Sequence, residues 1–172
     1  MDSDFLLLRR MENGDDQAIE SFVRKYYSRI LRYCRLHTRD SDFAEDLTQE
    51  TFARFFRNLP QYQHYGKAAN YLYVIAGNLC RDSYRKPEEL PMESLPEEPV
   101  CPIDCLDLRM DVQQALARLP QELREVTILY FVQEVRQKEI ARILGIGLPL
   151  TKYRIRRAKE LLATYLGKGD ML

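Results

Sequence analysis

No apolar run in this chain approaches the ~20 residues that a membrane-spanning helix needs, which argues against an integral membrane protein. The start is no richer: Phe5 to Leu8, flanked by Asp2 and Asp4, has neither the basic leader nor the length of a signal peptide. The chain is therefore expected to be cytoplasmic, with its cysteines, Cys34, Cys80, Cys101 and Cys105, reduced. Histidine is scarce, and neither of the 2 present is spaced to complete a metal or acid–base site with a carboxylate cluster. The chain also lacks a phosphate loop, a dinucleotide-binding glycine fingerprint, a nucleophile with a base at usable spacing and convincing strands. These absences weigh against an enzyme, and no residue is assigned a catalytic, cofactor or metal role.

Net charge is missing as well. The 26 basic and 26 acidic residues cancel over 172 positions, so only their distribution is informative. Residues 1–86 hold 14 basic against 12 acidic residues, 87–105 hold none against 6, and 106–172 hold 12 against 8. Five of the 8 prolines fall in the middle segment, a composition that neither forms a helix nor buries a core. It is expected to be a flexible linker between two mildly basic domains, 1–86 and 106–172. Cys101 and Cys105 within it make only half of a typical structural zinc site.

What remains is helical periodicity. Phe5, Leu8 and Met11 mark a short amphipathic helix, closed by Gly14 and followed by the capping acids Asp15 and Asp16. Ile19, Phe22, Val23, Tyr26, Tyr27, Ile30, Leu31 and Cys34 then repeat at helical spacing. A third helix, capped by Ser41 or Asp42 and ended by Pro60, is expected to bury Phe43, Leu47, Phe52, Phe55, Phe56 and Leu59. Its other face carries Asp46, Gln49, Glu50 and Arg54, which suits either solvent or a basic partner. Gln61 to Asn70 is a loop rich in groups that stack or read base edges: Tyr62, Gln63, His64, Tyr65, Lys67 and Asn70. Unpaired bases fit it, as does an ordinary polar loop with packed tyrosines. The next helix, Tyr71 to Lys86, is expected to bury Leu72, Ile75, Ala76, Leu79 and Cys80, leaving Tyr73, Asn78, Arg81, Tyr84 and Arg85 outside.

The second domain reads as four helices, roughly 106–118, 120–133, 136–144 and 149–166, the last two forming a helix-turn-helix. Ile140, Ala141, Ile143 and Leu144 lie on one stripe, Gly145 stops the helix, and Pro149 presets the first turn of the next. On the last helix Thr151, Ile155, Ala158, Leu161, Leu162 and Tyr165 cluster on one side. Lys152, Tyr153, Arg156, Arg157 and Lys159 lie on the other, with no acid among them. That face suits phosphate attraction and major-groove readout, against the plainer reading of a solvated amphipathic helix. Arg154 falls nearer the apolar edge and is expected to snorkel to a phosphate or an acidic partner.

Taken together, these residues resemble the extracytoplasmic-function subgroup of bacterial sigma factors, small sigma-70-class proteins with only regions two and four. The resemblance rests on Ala44-Glu45-Asp46-Leu47-Thr48-Gln49-Glu50-Thr51-Phe52, on Tyr71-Leu72-Tyr73-Val74-Ile75-Ala76-Gly77-Asn78-Leu79, on Leu119-Pro120-Gln121-Glu122-Leu123-Arg124-Glu125-Val126, and on Lys138-Glu139-Ile140-Ala141 leading into Leu144-Gly145-Ile146. It implies an all-α fold of two small helical domains, sigma region 2 and sigma region 4, joined by the acidic, proline-rich linker. It also implies that Asp46, Gln49 and Glu50 engage the β′ subunit of core RNA polymerase, which also has a β subunit. Gln61 to Asn70, with Tyr73, Asn78, Arg81 and Arg85, would capture the unpaired −10 element of promoter DNA. Lys152, Tyr153, Arg154, Arg156, Arg157 and Lys159 would bind the −35 element, and an anti-sigma factor would control the whole. The chain departs from the family's pattern in having Tyr71 where Trp is usual, Val74 and Gly77 where bases are common, and Thr151 at an ordinarily apolar position. The last departure predicts looser packing there.

Overall fold

The computed structural model describes residues 3–38, 40–64, 66–85 and 110–167, with only the backbone described at Tyr84 and Arg85. Among these residues all regular structure is helical, and no helix is long and apolar enough to cross a membrane. The expected linker at 87–105, including Cys101 and Cys105, lies outside the described residues, as does Tyr65. Two compact units contain the described chain, one before and one after residue 96.

Among its described residues the first unit has four α-helices, α1 (Ser3–Glu12), α2 (Asp16–His37), α3 (Ser41–Asn58) and α4 (Ala68–Arg85), with a short 3-10 turn, Leu59–Gln61, after α3. Gly14, at φ 80°, makes the turn between α1 and α2 in a conformation that costs glycine little. Asp15 then caps α2, its Oδ1 accepting from the N–H groups of Gln17 (3.0 Å) and Ala18 (3.3 Å). The inward face of α2 meets α3 through aromatic rings. Phe22 stacks on Phe55 at 4.8 Å and meets Tyr26 edge-on at 5.1 Å. Ile30 and Cys34 are buried, as their spacing predicts.

Four expectations about this unit need correction. Asp40, not Ser41 or Asp42, caps α3. Phe43 is exposed instead of buried, because the inward stripe of α3 runs through Ala44, Leu47, Thr48, Thr51, Phe52 and Phe55. The two threonines can be buried since their hydroxyls donate to the carbonyls of Ala44 (2.8 Å) and Leu47 (2.7 Å). Tyr73, expected outside, is only 1% exposed. Its ring packs 5.3 Å from that of Tyr33, which in turn lies 4.5 Å from His37, so α4 buries a broader face than the aliphatic pattern marks. Helix α4 also begins at Ala68, ahead of Tyr71, with Ala68 and Ala69 both buried.

The second unit contains α5 (Met110–Arg118), α6 (Gln121–Thr127), α7 (Gln137–Leu144) and α8 (Leu148–Leu166). Its core joins Ala115, Leu116, Leu119 and Leu123 to Ala158 and Leu162. Arg124 binds α6 to the end of α5 by donating to the carbonyls of Leu116 (3.1 Å), Ala117 (2.8 Å) and Leu119 (2.9 Å), at a helix end where backbone carbonyls run out of intrahelical donors. Where a uniform helix to about residue 133 is expected, α6 widens into a π turn, Ile128–Val132, closed by Gln133 N–H donating to Ile128 O at 3.0 Å. Glu134 follows at φ 55°.

Candidate nucleic-acid interfaces

The helix-turn-helix forms for reasons visible in its own residues. Gly145 takes the left-handed conformation at φ 64°, and the N–H of Ile146 reaches back to Ala141 O at 3.0 Å, ending α7 within one turn. Pro149 sits in the first turn of α8, where no intrahelical donor is needed. Thr151 is fully buried, yet its hydroxyl donates to Gly147 O at 3.0 Å, so no unpaired polar group enters the packing. Ile155, Ala158 and Leu162 complete the inward stripe of α8, with Leu161 and Tyr165 half-buried beside it.

That burial leaves Lys152, Tyr153, Arg156, Arg157 and Lys159 exposed on one helix face, Tyr153 to 50%. Arg156 lies over the Tyr153 ring at 5.8 Å, and Arg157 Nη1 pairs with Glu160 at 3.0 Å. The Lys159 ammonium stands over the rings of Tyr130 (5.9 Å) and Phe131 (5.5 Å), which the π turn carries outward. Arg154 behaves differently: it is half-buried and ion-paired to Glu122 of α6 at 3.2 Å, the acidic partner that its position near the apolar edge predicts. An open groove beside the turn is lined by Tyr130, Arg136, Lys138, Glu139, Arg142 and Lys152. Arg136, Lys138 and Arg142 extend the cationic surface beyond α8, and sequence reasoning missed them because they precede or belong to the first helix of the motif.

In the first unit, Asp46 and Gln49 project from α3 into solvent, while Glu50 is half-buried and accepts from Arg54 Nε at 2.8 Å. The hydrogen bond from Arg54 holds the Glu50 carboxyl below its ordinary range. The three predicted residues therefore share one accessible helix face.

Around the loop, Gln63, Lys67 and Asn78 are exposed, and Tyr62, His64, Asn70 and Arg81 are half-buried. Tyr62 stacks on Tyr71 at 5.0 Å and 20°, with Phe55 behind it at 5.4 Å, and its hydroxyl lies 3.0 Å from His64 Nδ1. Arg81 Nη2 donates to Asn78 Oδ1 at 2.8 Å. Tyr71 is the residue the sequence reading left out of this surface. Its place directly after the loop, at the position that distinguishes this chain from its family pattern, was the available signal. Tyr73 is withdrawn from the set, since burial removes its ring from any surface and pushes its phenol well above the ordinary range. Tyr65 and the side chain of Arg85 lie outside the described residues.

Two family models match this chain in order: Sigma-70 region 2 over residues 22–88 and Sigma-70, region 4 over residues 109–162. The chain belongs to the sigma-70 family. It is similar to the ECF RNA polymerase sigma factor SigW of Bacillus subtilis, with 31% identity over 92% of this chain and 94% of that protein. A second relative, the ECF RNA polymerase sigma factor SigE of Mycolicibacterium smegmatis, is 34% identical over 90% of this chain, which spans 65% of that protein's length. Among solved structures, CnrH in complex with the cytosolic domain of CnrY has the same fold at a TM-score of 0.79 and 22% identity, covering 99% of this chain and 100% of that one. The sigma factor RpoE of Bartonella quintana, in complex with the anti-sigma factor NepR, shares the fold at 0.71 and 23% identity, covering 88% and 98%. The α3 face and the aromatic loop thus fall in region 2 of an ECF-type sigma factor, and the helix-turn-helix in its region 4.

Proposed function

We propose that this sigma factor binds core RNA polymerase and directs it to specific promoters, region 2 capturing and melting the −10 element while region 4 binds the −35 element. The observation that carries the proposal is the exposed, predominantly cationic face of Lys152, Tyr153, Arg156, Arg157 and Lys159, with Glu160 paired to Arg157 among them, on the second helix of a helix-turn-helix. Such a helix can lie in the major groove, with some cations on phosphates and others on base edges. The acidic face of α3 supports attachment to the β′ subunit by charge complementarity, which favours encounter rate and specificity more than raw affinity. Tyr62 and Tyr71 supply ring surfaces beside exposed Gln63 and Lys67, a combination suited to unpaired bases. Polymerase supplies the chemistry of RNA synthesis. Control by an anti-sigma factor belongs to the same proposal, in keeping with the RpoE complex of like fold.

A helix-turn-helix regulator that binds DNA without joining polymerase is the competing reading, and the α3 face is what that reading leaves unexplained. Run-off transcription with purified core polymerase separates the two, on promoters mapped by RNA 5′ ends after overexpression. A sigma factor yields discrete transcripts dependent on both proteins. DNA binding without such transcripts would leave the regulator reading standing.

A further inference from the structure

Asp4 is 2% exposed although it stands in the first turn of a surface helix. Its carboxylate draws donors from two other helices. Oδ2 accepts from the Tyr26 hydroxyl at 2.6 Å and from the backbone N–H of Ala68 at 3.3 Å, and Oδ1 accepts from Lys25 Nζ at 2.5 Å. Lys25 also donates to Ser3 Oγ at 2.9 Å. A buried carboxylate is tolerated only when paired in this way, and charge-assisted bonds are the stronger kind.

Ala68 gives the network a meaning beyond cohesion. It is the first residue of α4, so the carboxylate holds the point at which the loop after Gln61 enters a helix, across a separation of 64 residues. Its negative charge also sits at the positive end of the α4 dipole. Asn70 and Tyr71 follow within the first turn, and Tyr71 carries the stack with Tyr62. A displacement of the Ala68 N–H therefore moves Asn70, Tyr71 and the end of the loop together. By contrast, Asp46 and Gln49 project into solvent from the neighbouring helix α3, whereas the Ala68 bond of Asp4 lies at the start of α4. Asp4 also precedes the stretch matched to region 2, which begins at residue 22.

We infer that Asp4 is a positioning residue for single-strand capture, fixing the start of α4 so that the loop and the Tyr62–Tyr71 stack are held in a base-accepting arrangement. The inference rests on the proposed −10 role of that loop.

The test uses full-length chain assembled with core polymerase and an oligonucleotide carrying the non-template −10 strand. Removing one charge-assisted anchor in Asp4→Ala is expected to lower oligonucleotide affinity about tenfold while affinity for core stays within about twofold. Asp4→Asn, whose one acceptor oxygen can still serve Tyr26 and Ala68 while its NH2 meets Lys25, should restore part of the loss. Both variants should speed backbone hydrogen exchange at the first turn of α4 and leave exchange in α3 unchanged. If Asp4→Ala does not assemble, Asp4→Asn alone decides, by faster exchange at α4 with a smaller affinity loss of about threefold. Parallel loss of core and oligonucleotide binding, or unchanged oligonucleotide binding, overturns the inference. A parent holoenzyme that ignores the oligonucleotide overturns the −10 reading, and the role of Asp4 with it.

Discussion

Arg154 Nη2 lies 3.2 Å from Glu122 Oε2, so one cation of the basic helix α8 is already committed to α6. The arginine side chain is 16% exposed and the glutamate 72%, so solvent screens the pair and its worth stays below about 1 kcal/mol. Arg154→Met, which keeps the packed stem, should lower stability in urea by no more than that. It should also weaken −35 binding less than Arg156→Ala or Arg157→Ala does. Equal losses in DNA binding would mean that Arg154 leaves Glu122 for a phosphate.

Arg156 and Arg157 project side by side but have different neighbours, a tyrosine ring for Arg156 and Glu160 for Arg157. Substituting each with alanine should separate their roles in fluorescence titrations of −35 duplexes. A lost base contact costs about 1–3 kcal/mol at one promoter position, whereas a lost phosphate contact weakens all sequences and flattens the salt slope by about one unit. Unchanged binding by both variants would take α8 out of the interface.

Asp46 and Glu50 share the exposed face of α3, with Glu50 paired to Arg54 one turn along. Asp46→Asn combined with Glu50→Gln removes charge without removing volume and should leave the circular dichroism melt in place. Affinity for core polymerase should fall, and the difference from the parent should shrink as salt is raised. Parent-like affinity at moderate salt would assign the polymerase contact to another face.

The division of labour on α8 was legible because a 100° step separates Thr151, Ile155, Ala158 and Leu162 from the cations, and Gly145 and Pro149 punctuate the turn. Thr48 and Thr51 were not, because their polarity is cancelled by carbonyls four residues back in the same helix, a bond that a hydrophobic pattern ignores. Tyr73 and Tyr33 escaped for a related reason: an amphipathic ring reads equally well as surface or core until its neighbours are known. The contact of Lys159 with Tyr130 and Phe131 needs both the π turn and the packing of α6 on α8, neither of which has a local sequence mark.

Glu134 follows the π turn at φ 55°, where an L side chain is crowded against its own backbone. It is exposed, so nothing in the core depends on its side chain. Glu134→Gly should stabilise the chain by about 0.5–1 kcal/mol, the relief of that crowding less the extra backbone entropy of glycine. The urea midpoint measures it. A drop in midpoint would show that the carboxylate contributes more than the backbone costs.

Gly77 and Tyr33 are coupled by a close approach inside the first unit. A Cβ at position 77 would lie 3.1 Å from the Tyr33 hydroxyl oxygen and 3.4 Å from Arg81 Nη2. The arginine head can swing away, but the Tyr33 ring is fully buried between His37 and Tyr73 and has little room to yield. Alanine improves helix propensity by about 1 kcal/mol over glycine, while overpacking a buried site costs about 1–3 kcal/mol. Gly77→Ala should therefore be neutral to destabilising despite its mid-helix position. Removing the obstructing oxygen reverses the balance: in a Tyr33→Phe background the same change should be stabilising, because the propensity gain remains and the clash does not. A double-mutant cycle in urea, comparing Gly77→Ala with and without Tyr33→Phe, is expected to give a coupling of about 1 kcal/mol or more. A coupling near zero would mean that the helix shifts enough to admit the methyl group, and that the tight approach of the two residues is incidental.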